Sequence, residues 1–290
     1  VMPRNTRAVD FSEVSLKESH PSLVVMLVFT QLSVGAFITH AWSTPNFGNE
    51  STPAVALLFA VVALLSSVGH LGRPQYAFRA LIGLAHSWLS REILALGVFF
   101  GVASVYVLLV FIGDDSIILD TARYGVTGVG LAAVLTSAMI YIRTGRPGWA
   151  SLLTAAKFLL TSVWLGVLSS LAIRVILQNP QGTTLLLSIT MVAAAFKLAI
   201  ELSALVALSS SVESPFRQRA SALVGPLRTL WLTRLGFGFW GGLIGPFLFF
   251  EHLPVWGALS IWLLAVGGEL IERHLFFVSS VAPRMPGDLA

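Results

Sequence analysis

The chain has no cysteine among its 290 residues. It can therefore form no disulfide, ligate no iron–sulfur cluster through thiolate and offer no cysteine nucleophile. Any cluster that it serves must belong to a partner. Charge is scarce too: Asp, Glu, Lys and Arg make up 11% of the residues, where a soluble domain carries about 25%. Hydrophobic residues reach 56% and the mean hydropathy is +0.83. That balance excludes an ordinary soluble globule and leaves most of the length for hydrocarbon, where about 20 apolar residues make one helical span. Long polar stretches are missing as well, so no separate soluble domain is expected. The alternating ten-residue pattern of barrel strands is also missing, and helices are the other way to satisfy backbone polar groups in lipid.

What is present is a series of eight apolar segments, at about 22–43, 53–70, 89–112, 124–142, 149–177, 183–210, 229–250 and 256–280. Each is bounded by Pro, Gly or charged residues. They predict an all-α integral membrane protein, an eight-helix transmembrane bundle over 21–282, with an extramembrane arm at 1–20 and a short tail at 283–290. The arm mixes Arg4, Arg7, Asp10, Glu13, Lys17 and Glu18 and has no apolar stretch close behind its basic residues, so no cleaved secretory signal is expected. Each half has four segments with a long basic loop after the second, but no residue-level repeat. A transporter-type inverted repeat is therefore not supported.

The net charge is +4, from 18 basic and 14 acidic residues, and the pI is near 9.8. In so apolar a chain this surplus points to membrane orientation and not to nucleic acid. With eight spans, both termini share one face with the loops at about 71–88, 143–148 and 211–228. About thirteen Lys and Arg fall there, Arg4, Arg73, Arg146, Arg217 and Arg234 among them, against Arg123 and Arg174 on the other face. The positive-inside rule then predicts cytoplasmic termini and long loops in a bacterial inner membrane.

The stretch from His70 to Glu92, HLGRPQYAFRALIGLAHSWLSRE, leaves the second span and enters the third. Two histidines, three arginines, one glutamate and three aromatics are an odd composition for a plain connector. A quinone head group arriving from lipid needs hydrogen-bond donors at its carbonyls and a group that passes protons to water. His70 is the first candidate and Glu92 the second proton carrier, with Arg73 or Arg91 holding the negative charge that develops on reduction. The plainer reading is that the arginines contact lipid phosphate and that Glu92 pairs with Arg73 or Arg91 to neutralise itself.

Ionisable residues inside a membrane are functional candidates by default. Lys197 and Glu201 sit at i and i+4 in the sixth span, within reach of each other. They are either part of a proton path or a self-neutralised packing pair. Lys157 has no acid nearby in sequence, while Glu269, Glu272 and Arg273 in the last span could supply one. Only six histidines exist. His20, His70, His86 and His274 fall toward one face and His40 and His252 toward the other, and none is deep enough for haem to be expected. No residue set reads as a metal site. Trp42, Trp149, Trp231 and Trp256 read as interfacial anchors, and Gly236, Gly238, Gly241, Gly242 and Gly245 as sites of close helix approach.

The motifs also carry a resemblance. His70-Leu71-Gly72-x-Pro74, Ala77-Phe78 and Leu89-Ser90-x-Glu92-Ile93 resemble, without gaps, the second-to-third-span region of the membrane-anchor subunit of dimethyl sulfoxide reductase. Gly268-Glu269-Leu270, Arg273 and Leu275-Phe276-Phe277 are similar to the last span of that family. The resemblance implies an anchor that is not itself catalytic for the substrate. It docks a ferredoxin-like iron–sulfur subunit and a molybdopterin catalytic subunit and exchanges electrons with ubiquinone or menaquinone. It implies no haem, with molybdopterin and clusters only in the partners, and quinone contacts at His70, Gly72, Phe78 and Glu92. The chain departs from the reductase pattern at Tyr76, where a basic residue is expected, and at Ala80, where a hydroxyl is expected. The cytoplasmic orientation and the wording Arg73-Pro74 and Ser87 to Glu92 look more like the branch that feeds sulfite electrons to quinone. The alternatives are a reductase anchor oxidising menaquinol and, from a different class, an ion or solute transporter.

Overall fold

The computed structural model describes residues 16, 19–47, 51–69, 78–79, 82–113, 117–146, 148–179, 181–209 and 214–280. Helices and short turns make up these residues, with no strand among them. The long helices are α1 (Pro21–Phe47), α2 (Ser51–Gly69), α3 (Trp88–Phe111), α4 (Ile117–Arg143), α5 (Leu152–Ile176) and α6 (Thr183–Ser203). A 3-10 turn, Ala204–Ser209, extends α6. There follow α7 (Pro215–Val224), α8 (Arg228–Phe239), a π-helical turn (Trp240–Ile244), α9 (Gly245–Leu248) and α10 (Val255–Val278).

Seven helices, α1 to α6 and α10, are long and apolar enough to cross a membrane. The seventh apolar segment of the sequence is helical from Arg228 to Leu248 but broken by the π turn, so neither of its two α-helical pieces is long enough by itself. The glycines explain the break. A Cβ on Gly241 would press on the backbone of Ala265 and Ile261 of α10, so the π turn lies directly against that helix. Gly236, in contrast, faces open space.

Local chemistry sets several ends. Ser87 caps α3, its side chain accepting from the Ser90 amide at 3.3 Å. Ser214 caps α7 in the same way, with Pro215 in the first turn, where its missing N–H costs nothing. The start of α4 lies at Ile117 instead of near 124, because Asp120 and Arg123 pair at 2.5 Å across one turn and carry the helix through its charged beginning.

Helices α1 and α5 form the centre. A Cβ at Gly35 would overlap the Ser162 carbonyl and one at Gly166 the Gly35 carbonyl, so the two backbones touch. One apolar core joins α1 to α2, α3, α4 and α5, another joins α1 to α5, α6 and α10, and a third lies under α7 and α8. The tryptophans divide. Trp42 and Trp256 are exposed, as interfacial anchors would be, whereas Trp149 and Trp231 are buried. Trp149 stacks on Phe276 at 5.1 Å and donates to the Phe276 carbonyl at 2.9 Å, which makes it a strut between the α4–α5 connection and α10.

Candidate functional site

Glu92 lies near the start of α3, one turn after Trp88. Its neighbour Arg91 turns outward: Nε donates to the Leu84 carbonyl at 2.9 Å, Nη2 to that of Ala85 at 2.8 Å, and the guanidinium stacks over Trp88 at 4.4 Å. The plainer reading, in which Arg91 neutralises Glu92, therefore does not hold. Glu92 points inward and is only 4% exposed. Ser137 of α4 hydrogen-bonds its carboxyl group, its Oε1 has no hydrogen-bond partner, and it has no ion pair among the described residues.

The carboxyl borders a cavity of about 270 Å³ between α1, α2 and α3. Met26 and Thr30 of α1, Ala60, Leu64 and Ser67 of α2, and Ile93, Leu96 and Phe99 of α3 form most of its wall. The lining is apolar except for Glu92, Thr30 and Ser67. Thr30 Oγ1 is also buried without a hydrogen-bond partner. An apolar hollow with two orphaned oxygens suits a ligand that is mostly hydrocarbon and has polar groups at one end.

Phe78 is 64% exposed and is not part of this wall. His70, Gly72 and Arg73 lie outside the described residues; in sequence they come directly after Ser67, Val68 and Gly69. Sequence reasoning missed Thr30, Met26 and Ser67. A single hydroxyl in a long apolar run carries too weak a signal to stand out.

A second polar group fills the middle of α5, α6, α8 and α10. Lys197 Nζ is 2.8 Å from Glu269 Oε2 and 3.8 Å from Glu201 Oε1. The Thr161 hydroxyl stands between Lys197 Nζ, at 2.6 Å, and Glu269 Oε2, at 2.7 Å. Arg234 Nη2 is 2.8 Å from both Glu201 Oε1 and Glu269 Oε1. Lys157 pairs with Glu272, and Arg273 lies 3.6 Å from Glu272 and donates to Gln31 Oε1 of α1 at 3.2 Å. The bundle thus gives Lys157 its acid, as the sequence allowed, and ties four helices together. It also corrects one placement: Arg234, counted with the loop face, is fully buried. Without it, the sequence expectation for that face falls to about twelve basic residues against two.

His40 Nε2 is engaged with the Tyr106 hydroxyl at 2.8 Å and His274 Nδ1 with the Ser19 hydroxyl at 2.7 Å. Among the described residues, no three His, Asp or Glu side chains gather as a metal site.

Comparisons with known proteins agree with the motifs. The chain is 28% identical to the anaerobic dimethyl sulfoxide reductase chain YnfH of Escherichia coli over 88% of its own length and 93% of the relative's. It is 31% identical to a chain of the anaerobic dimethyl sulfoxide reductase of Haemophilus influenzae over 52% of its own length and 57% of the relative's. With a subunit of the sulfite dehydrogenase of Allochromatium vinosum it shares 30% identity over 59% of its own length and 57% of the relative's. It thus spans just over half the length of these last two relatives. The family described as DMSO reductase anchor subunit (DmsC) matches residues 17–278, and the protein belongs to that family.

Proposed function

We propose that this protein anchors a molybdopterin and iron–sulfur oxidoreductase in the membrane, and that electrons pass between the partner's clusters and membrane quinone at the cavity of α1, α2 and α3. The observation that carries this reading is the pair of orphaned buried oxygens, Glu92 Oε1 and Thr30 Oγ1, on the wall of an otherwise apolar cavity. Quinone, when bound, takes or gives two electrons and two protons. Glu92 holds a proton at its carboxyl group and exchanges it with the ligand. Ser137 keeps that group turned inward. Thr30 and Ser67 offer hydroxyls that orient a polar head, and Leu64, Leu96 and Phe99 keep bulk water out. His70, Gly72 and Phe78 complete the proposed site on the strength of the family motif, and Arg73 and Arg91 as the cations that would hold negative charge on the reduced head group. Arg91, fixed over Trp88, would act from the rim.

The finer reading keeps eight membrane crossings, with Arg228 to Leu248 as the seventh, its two α-helical pieces joined end to end through the π turn. Both termini then lie in the cytoplasm with the basic loops. A cytoplasm-facing sulfite dehydrogenase fits that orientation. The match over most of the Escherichia coli relative favours a second reading, the anchor of a dimethyl sulfoxide reductase-type enzyme oxidising menaquinol. Reporters fused after Ala290 separate the two in cells. A fluorescent protein that matures only in the cytoplasm should light up, and a phosphatase active only in the periplasm should stay silent. An active phosphatase would reverse the topology and the sulfite reading with it.

A further inference from the structure

The walls of the Glu92 cavity are of two kinds. Met26, Thr30, Ala60, Ala63, Glu92 and Phe99 are each 5% exposed or less and close its inner side. Leu64 and Val68 of α2 and Leu89 of α3 line it too, yet they are 40%, 46% and 52% exposed, and Gly97 of α3 is exposed with them. Both helices are long and apolar enough to cross a membrane, where the exposed apolar face of a span meets hydrocarbon. The cavity therefore opens sideways at the seam of α2 and α3, and its open edge is apolar.

Gly97 stands out on that edge. Glycine inside a helix is unfavourable relative to alanine, a cost that close helix packing commonly offsets. Gly97 has no such packing among the described residues: a Cβ placed on it meets no atom within 4 Å. Gly101, one turn later, meets open space in the same way. Helix α3 runs from Trp88 to Phe111, so Glu92 lies near one end. Gly97 is about 7.5 Å further along the axis and Gly101 about 6 Å beyond that. The two glycines thus leave a shallow track on the outer face of α3, from the edge of the cavity to the middle of the helix.

We propose that the seam of α2 and α3 is the lateral entrance through which membrane quinone reaches Glu92, and that its isoprenoid tail leaves over Gly97 toward Gly101. The proposal rests on the quinone reading of the cavity. A membrane quinone has a ring head and a long, branched hydrocarbon tail. The cavity holds about 270 Å³, below the roughly 300–1,000 Å³ that encloses a drug-sized ligand, so the head fits and the tail has to pass out. The orphaned Glu92 Oε1 and Thr30 Oγ1 draw the head to the inner side, which turns the tail toward the exposed one. Its surroundings are apolar along the whole way, so its passage depends on room more than on burial. Gly97 supplies that room and sets the tail specificity of the site, since any side chain at this position would stand in the path of a branched chain.

Gly97→Phe tests it in the intact membrane complex, and the open space at this position lets α3 keep its packing. For quinones with a long isoprenoid tail KM should rise about tenfold or more, while for the same head groups without a tail it should stay within about twofold. Gly128→Phe is the control. Gly128 of α4 is exposed, its Cβ would meet no atom within 4 Å, and it does not line the cavity, so this variant should handle both classes of quinone as the original does. Binding is read separately with a quinone that carries its photoreactive group on the tail. It should mark the segments of Leu64 to Val68 and Gly97 to Gly101, in competition with unlabelled long-tailed quinone, and Gly97→Phe should remove that mark. An equal loss with tailed and tailless quinones, no loss with either, or the same loss in Gly128→Phe overturns the entrance. Glu92→Gln keeps the two ideas apart. If it slows both classes of quinone while Gly97→Phe slows neither, only the entrance falls; if it turns over normally, the quinone reading falls and the entrance with it.

Discussion

Glu92→Gln should slow quinone-coupled turnover by about 100-fold, the low end of what a positioned proton carrier contributes. The substitution keeps the size of the side chain and its ability to bond Ser137, so α3 and α4 stay packed. Among the described residues of the cavity wall, it removes the one group that can bind and release a proton. The complex should assemble, and its partner subunits should react with soluble electron dyes at the normal rate. His70→Ala, at the position that the family motif singles out, should lower quinone turnover in the same selective way. Parallel assays of dye and quinone turnover on purified complex check both. A Glu92→Gln complex that reduces quinone normally would leave Glu92 with a packing role alone.

Glu269→Leu should destabilise the bundle by about 3–5 kcal/mol, the usual consequence of removing one member of a buried ion pair. Glu269 meets Lys197 at 2.8 Å and Arg234 at 2.8 Å, and none of the three is exposed. Its loss leaves Arg234 with Glu201 and leaves Lys197 with only longer contacts, to Glu201 at 3.8 Å and Glu272 at 4.0 Å. The loss is large against the roughly 5–15 kcal/mol by which folded proteins are stable, so the yield of assembled complex and its melting temperature in detergent should both drop. Adding Lys197→Met should recover much of the loss, because a neutral, well-packed pair replaces a broken charged one. A Glu269→Leu protein as stable as the original would show that these charges do not hold α5, α6, α8 and α10 together.

Long apolar runs, polar breaks and the hydrogen-bonding demand of lipid are all properties that a linear sequence displays, which is why the all-helical membrane fold was legible. Glu92 was legible as well, since an acid at the head of an apolar span stands out. The rest depended on which helix faces meet. Thr30 became part of the wall only because α1 passes beside α3, and nothing in its own apolar run distinguished it. Arg234 looked like a loop residue by position, yet the fold buries it between Glu201 on α6 and Glu269 on α10. Lys197 and Glu201 were visible as an i,i+4 pair, but the shorter contact of Lys197 is with Glu269, 72 positions later and invisible to any local pattern. The π turn at Trp240–Ile244 was foreshadowed only by its glycines: they signalled close approach, and the change in helical winding came with it.

The central claim is that quinone binds between α1, α2 and α3, against Glu92 and Thr30. Photolabelling of the intact complex with a photoreactive quinone analogue, followed by peptide mapping, tests it most directly. The account predicts label on the segments of Met26 to Gln31 and Leu89 to Phe100, competed away by unlabelled quinone and weakened by Glu92→Gln. Competable label on α6, α7 or α8, with α1 and α3 unmarked, would contradict it.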